Sequence, residues 1–564
     1  MADVFDFIVV GSGPAGSSVA ASLAKSAKKP AVLLIEAGGK NDDRNFRVDG
    51  QRWTTFQNTA MNWGYKTAPQ EHCAGRELDY SRGLGLGGSS AINFSVFNVG
   101  PAGDYEEWAR QVGDDAFKWE HMQRRYKSLE SFDPTLPPGV SEKYAAPQAE
   151  DHGTSGPLKT GYVAEAEKDV APMLELFEKA GFPINLDHNS GNPIGLSLGI
   201  NSSSGGLRST AQDLFTPVPQ NLTIVTESPV QRIVLEGKKV VGVESNGKQY
   251  RASKEVILSA GSLDDPKILM HSGIGPKAQL EKFGIPVIQD IPAIGQGLRD
   301  HAFVPLAYAR AGGDTDRASF YGDKQAMADA LDQWKKDGTG PWAKFACELP
   351  IGWFKLDALA ASAEFQALPE AEKAYLRDPT VPHYELLSHF PIHWFVPGFP
   401  DAALNYSCLL VFLYNAQSRG AATLQSADPA APLRFDPRFL AAPFDRRAAV
   451  ESLRDAYRLV RHEAYAQNTV ATIAGPADLS DDALLDYWRQ NISSSWHMSG
   501  TLKMGRRGDA DAVVDNEFRL LGFEGLRVAD MSVVPIIANC HTQSVAYLTG
   551  LTCGEKLIAE YGLA

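Results

Sequence analysis

Phe5-Asp6-Phe7-Ile8-Val9-Val10 is a short apolar run that leads straight into Gly11-Ser12-Gly13-Pro14-Ala15-Gly16. A helical pattern follows through Ser17–Ala24, then a second apolar run, Ala31-Val32-Leu33-Leu34-Ile35, which ends on Glu36. This order of strand, glycine turn, helix and strand constrains the fold strongly, because it predicts a parallel βαβ unit shaped around a phosphate. Gly11 permits the tight strand-to-helix turn. Gly13 lets a pyrophosphate approach the backbone with no Cβ in the way, and Gly16 lets helix and strand pack closely. The helix that begins at Pro14 and Ala15 offers free N–H groups and a partial positive charge to the phosphates. Glu36, with Ala37 behind it, lies twenty residues past Gly16, the register of a ribose-binding acid. The motif predicts a dinucleotide and does not by itself separate FAD from NAD.

At 564 residues the chain exceeds the size at which a single core stops growing, so two or more domains are expected. Its net charge of −14 disfavours nucleic acid or an anionic membrane as the main partner. No apolar run reaches the length of a membrane span. The first strand begins with no secretory signal before it, which points to the cytoplasm. Cys73, Cys347, Cys408, Cys540 and Cys553 are scattered without C-x-x-C spacing, so neither zinc, an iron–sulfur cluster nor a disulfide framework is expected. His383, His389 and His393 match no helical zinc spacing, and no metal is expected there.

Residues 104–132 read as helical, anchored by Trp108, Phe117, Trp119, Met122 and Tyr126. Proline and glycine crowd residues 133–160, which suits a boundary. Leu222–Val225, Val240–Glu244 and Glu255–Ala260 read as strands. Beyond residue 302 the texture changes: helices are expected over 323–336 and 444–463, strands over His383–Phe390, Asn405–Tyr414 and Gly420–Gln425. A last helix is expected over 543–561.

Two late segments carry histidines suited to proton transfer near neutrality: Trp496-His497-Met498-Ser499-Gly500 and Asn539-Cys540-His541-Thr542-Gln543. Between them Gly525–Asp530 reads as a short strand ending in an acid. With these, the chain resembles the glucose–methanol–choline (GMC) flavin oxidoreductases over essentially its whole length. Gly87-Gly88-Ser89-Ser90-Ala91-Ile92-Asn93 is similar to the family's first signature, and Gly261–Gly275 to its second. Gly295–His301 is similar to a further family segment. Asp265 departs from the usual Thr or Ser, and Gly297 from the usual Asn.

The resemblance implies an α/β fold, with a Rossmann-like FAD-binding domain and a discontinuous α+β substrate domain. The FAD domain is expected from residues 1–155, 211–301 and 491–564, the substrate domain from 156–210 and 302–490. It implies FAD as cofactor, with contacts from Gly88, Ser89, Asn93, Val230, Asp530, Thr542 and Gln543 beside the N-terminal motif. It also implies His497 as the catalytic base and His541 as its companion. The family's formate oxidases carry Arg at the second position, so His541 argues against formate. The Asn539–Gln543 run is most similar to aryl-alcohol-oxidase-like members, with Phe94 and Trp496 facing the substrate or packing in the core. The expected reaction is oxidation of a primary, benzylic or allylic alcohol to the aldehyde. His497 takes the hydroxyl proton, hydride passes to flavin N5, and electrons go on to O2 or another acceptor.

Two other readings stay open. A GMC relative such as a hydroxynitrile lyase or cyclase holds FAD without net oxidation. A serine hydrolase is spelled by Gly195-Leu196-Ser197-Leu198-Gly199, but that motif needs a strand before it and a helix after it, and turn-rich residues flank it on both sides.

Overall fold

The computed structural model describes residues 4–48, 50, 52–311, 320, 323–344, 350–389 and 405–564. The opening unit forms as its pattern predicts: strand β1 (Val4–Val10), helix α1 (Pro14–Lys25) and strand β2 (Val32–Ile35). β1 pairs in parallel with β2 on one side and with Lys248–Leu258 on the other. Leu222–Val225 adds to β2, and Leu526–Val528 adds to Lys248–Leu258, both in parallel. Three distant stretches of chain thus build one parallel sheet. The long strand Lys248–Leu258 then turns antiparallel to Lys239–Ser245, which pairs with Val230–Glu236. That last strand was not among those expected from the sequence.

The C-terminal helix Gln543–Glu560 packs on α1. Glycines make the approach possible: a Cβ on Gly550 would lie 2.2 Å from the Ala15 carbonyl oxygen. None of the described helices is long and apolar enough to cross a membrane.

The second large sheet is antiparallel and runs in the order Thr469–Ala474, Ala302–Arg310, Tyr406–Leu413, Tyr384–Ser388, Pro350–Phe354, Gly195–Leu198. Successive side chains on a strand point to opposite faces. On Tyr406–Leu413, Leu409, Val411 and Leu413 join the main core, which includes apolar residues of the helix Pro443–Arg461. Cys408, Leu410 and Phe412 point the other way, into a separate apolar cluster with Phe56, Phe94 and Phe303. That second face becomes one wall of the functional cavity.

Two expectations change. The single helix over 104–132 is two, Ala102–Val112 and Trp119–Leu129. Gly113 ends the first at φ +71°, and Asp114 accepts from the Ala116 amide to start the short turn between them. Ser197 lies inside the strand Gly195–Leu198, 1% exposed, with its hydroxyl 3.3 Å from the Leu198 carbonyl. A buried strand interior is not a nucleophile elbow, so the hydrolase reading falls.

A buried clasp ties residues 130, 152 and 187. His152 Nδ1 lies 2.9 Å from Glu130 Oε1, and its Nε2 lies 3.2 Å from Asp187 Oδ2. Burial alone would lower the imidazole's pKa. The hydrogen bonds from Asp187 and Glu130 outweigh it and push the value from 6.5 up to about 9. The charged clasp therefore stabilises the fold fully below the ordinary histidine value and loses that contribution as pH rises through about 9. Melting curves across this range should fall more steeply for the wild type than for His152→Gln; parallel curves would show that the imidazole carries no such charge.

Candidate active site

Between the two sheets lies a cavity of about 1780 Å³, counted to its open mouth. One arm runs along the β1–α1 turn. Gly11, Gly13, Pro14, Ala15, Glu36, Ala37, Gly88, Ser89, Asn93, Val230, Asp530, Thr542 and Gln543 all line it. Gly16 does not: a Cβ there would lie 2.0 Å from the Gly11 carbonyl oxygen, so its role is to let the helix pack on the turn. A Cβ on Gly13, by contrast, meets nothing within 4 Å and projects into open space. That bare backbone at a helix start is the cradle a pyrophosphate needs. The residues present therefore fit a dinucleotide.

Glu36 is more heavily engaged than its motif suggests. One carboxylate oxygen accepts from the amide and hydroxyl of Ser12, and the other from the amides of Gly38 and Gly85. It stitches the two glycine-rich segments together.

The other arm holds both histidines. The His497 and His541 rings stand 5.1 Å apart, nearly perpendicular at 79°. The His497 amide donates to Asp300 Oδ1 at 2.7 Å. Its Nδ1 lies 3.0 Å from His301 Nδ1 and 3.2 Å from the Ser495 hydroxyl. Nε2 has no protein partner among the described residues, so it is the ring atom left for a substrate. Burial pushes the His497 pKa well below the usual histidine value, and the nearby His541, His301 and Arg82 push it the same way. The ring is thus neutral at neutral pH. His541 is held from behind: its Nε2 lies 3.1 Å from Glu385 Oε1, while the Tyr414 hydroxyl donates to Glu385 Oε2. Its amide donates to Asn98 Oδ1 at 3.0 Å.

Aromatic rings wall this arm. Phe56 meets Trp496 at 4.8 Å and Phe94 at 5.5 Å between centroids. Phe303 and Phe412 stand 4.8 Å apart on the antiparallel sheet. Trp496 adopts a left-handed backbone at φ +60°, and its indole N–H donates to Asp79 at 2.7 Å. A bulky residue at positive φ directly before a buried histidine is local strain at a functional position.

Arg82 also lines the cavity. Its guanidinium donates to the Trp496 carbonyl and to the Ser89 hydroxyl.

Several of these residues escaped sequence reasoning. Glu385 stands just before Leu386-Leu387 in a strand buried along its whole length, and a buried acid there must have a partner, which was the available signal. Asp300 and His301 stood at the end of a recognised segment with no role attached. Phe56, Phe303 and Phe412 carried no signal, since apolar residues in strands and helices normally serve the core. Of the remaining histidines, both His383 nitrogens are engaged by backbone of Leu356 and Leu376, and His389 lies 3.1 Å from Asp169. His393 lies outside the described residues, as does Cys347.

Two sequence profiles described as GMC oxidoreductase match this chain, over residues 5–303 and 416–550. Patulin synthase of Penicillium expansum is 30% identical over 591 aligned positions, covering 99% of this chain and 91% of that protein. Pyranose dehydrogenase 2 of Leucoagaricus meleagris is 31% identical over 579, covering 99% and 93%. Among solved structures, a variant of Aspergillus oryzae formate oxidase superposes with a TM-score of 0.89 at 28% identity, covering 100% of this chain and 99% of that one. A fungal aryl-alcohol oxidase shares the fold, with a TM-score of 0.85 at 24% identity over the full length of both.

Proposed function

The chain belongs to the GMC oxidoreductase family and is an FAD-dependent flavoprotein, and on that premise we propose that it oxidises a primary alcohol next to a π system, benzylic or allylic, to the aldehyde. The observation that carries this reading is the ring of Phe56, Phe94, Phe303, Phe412 and Trp496 around two imidazoles. Flat apolar walls favour a π system, and they offer a sugar few partners for its hydroxyls. FAD, when bound, supplies the two-electron oxidant, its N5 accepting hydride from the substrate carbon.

The protein's part is proton removal and alignment. A base at Nε2 of His497 needs the tautomer with its proton on Nδ1, and His301 Nδ1 at 3.0 Å is placed to accept that proton's hydrogen bond. His497 Nε2 then takes the hydroxyl proton, which makes the carbinol carbon a better hydride donor. His541, pinned by Glu385, binds the same oxygen and holds the reacting C–H in line. An imidazole backed by a carboxylate suits an alcohol oxygen better than the anionic oxygens of formate. On this reading the cofactor lobe comprises residues 1–155, 211–301 and 491–564, and the substrate lobe 156–210 and 302–490. O2 or another small acceptor removes the electrons.

An anaerobic flavin-reduction screen tests the substrate class. Benzylic or allylic alcohols should exceed glucose and methanol in kcat/KM by about tenfold or more, the scale of apolar-pocket discrimination. A preference for sugar or methanol would overturn the substrate class and leave the family untouched. Alcohols that leave the flavin oxidised across the whole panel would point instead to a lyase-type relative.

A further inference from the structure

Two buried acids meet at the lip of the parallel sheet. Asp530 follows the strand Leu526–Val528, and Asp265 follows the adjacent strand Lys248–Leu258 by a short turn. The carboxyl ends of parallel strands are where such sheets hold a ligand. Asp530 lines the cofactor cavity and is 4% exposed. Its two oxygens accept from the Gly261 amide at 2.6 Å and the Ser532 amide at 2.7 Å. Asp265 is fully buried. Its Oδ1 accepts from the Ala260 amide at 2.8 Å, while its Oδ2 is buried without a donor. The two carboxyl groups are thus anchored on consecutive amides of one turn, Ala260 and Gly261, and they act on each other there. Two ionised carboxylates cannot share such a place at low dielectric, since like charges repel strongly there. A proton between them removes the repulsion and satisfies the orphaned oxygen.

We propose that Asp265 is a positioning residue for the cofactor: it stays protonated and donates that hydrogen to Asp530, fixing the Asp530 carboxylate and the Gly261 amide at the cavity wall. This also explains the departure at this position. Where the resemblance to the family's second signature leads to the expectation of a Thr or Ser hydroxyl, this chain keeps a donor in the form of a neutral carboxylic acid. The charged side chains that act most strongly on Asp265 are both acids. The charged groups facing Asp265 are Asp530 and Asp264, and Asp264 is already paired with Lys267 and accepts from the Tyr65 hydroxyl. Arg82, which also lines the cavity, is close enough to act on Asp530 and Asp264. Burial and the neighbouring Asp530 both hold the Asp265 pKa well above the ordinary carboxylate range. The inference rests on FAD binding alone and not on which alcohol is oxidised.

The consequence is a cofactor grip that weakens in alkali. As Asp265 ionises, it pushes against Asp530, and FAD affinity should fall by about tenfold, the equivalent of about one pKa unit of interaction. Asp265→Asn keeps the shape and offers an N–H donor that cannot ionise, and Asp265→Thr offers the hydroxyl. Both should hold FAD at neutral pH and lose the alkaline step, measured by FAD fluorescence release from the holoenzyme. Asp265→Ala should bind FAD more weakly than either at every pH. Infrared difference spectra give a second readout: a protonated-carboxyl stretch present in the wild type at neutral pH should vanish in Asp265→Asn. An alkaline release curve in Asp265→Asn that overlays the wild type overturns the proposal. So does an unchanged carboxyl band, or an Ala variant that binds FAD as tightly as Asn. The Asn comparison decides the matter even where Ala fails to fold.

Discussion

His497→Ala should slow flavin reduction by about two to four orders of magnitude while FAD stays bound, the usual scale for loss of a general base. The residue's cofactor-independent anchors are all on one side of the ring. Its amide is held by Asp300, and its Nδ1 faces His301 and Ser495. Alanine keeps the backbone hydrogen bond to Asp300 and removes the imidazole, with its Nδ1 contacts to His301 and Ser495 as well as the Nε2 that reaches the cavity. The pH profile carries the same message. Because burial and three nearby basic groups hold the His497 pKa below the ordinary value of 6.5, the free base persists into mildly acidic buffer. Flavin reduction should therefore lose rate only below the pH at which an exposed histidine would protonate. Stopped-flow bleaching under anaerobic conditions measures both. Reduction near the wild-type rate in the alanine variant would place the base elsewhere.

The second large effect concerns the glycine turn, where two neighbouring substitutions should fail for different reasons. Gly13→Val sends its side chain into open cavity, so the apoprotein should fold normally and FAD affinity should drop about a hundredfold, or about 2.8 kcal/mol. Gly16→Ala places a methyl 2.0 Å from the Gly11 carbonyl oxygen, which must displace α1 from the turn. That overpacking should cost about 1–3 kcal/mol of stability, with FAD lost as well. Thermal melts of the apoproteins beside FAD titrations separate the two. A Gly13→Val variant that retains its flavin would mean the pyrophosphate lies away from this turn.

Much of the cofactor arm was legible in the sequence because its chemistry is local. Gly11 and Gly13 act through backbone geometry in one strand–turn–helix unit, and Glu36 places its carboxylate at the end of the next strand, so all three are written in residue order. Gly16 packs the helix onto the turn, as its place in the motif predicts. The substrate arm was less legible. His497 and His541 could be named, but what holds them could not. Glu385 is 156 positions from His541 in the chain, and His301 is 196 from His497. The break in the expected helix at Gly113 shows the converse, since one glycine ended a run whose apolar spacing alone would have continued.

The sequence by itself determined the βαβ unit, the family and the identity of the two imidazoles, because each depends on short-range order that glycine, periodicity and motif spacing encode. Only the tertiary structure decided which face of Tyr406–Leu413 meets the cavity, which acid backs His541, and that Asp265 lies against Asp530. Those choices follow from how separate stretches of chain are brought side by side. A buried carboxylate or aromatic ring has the same letter whether it fills the core or faces a substrate, and its neighbours across the sheet settle which.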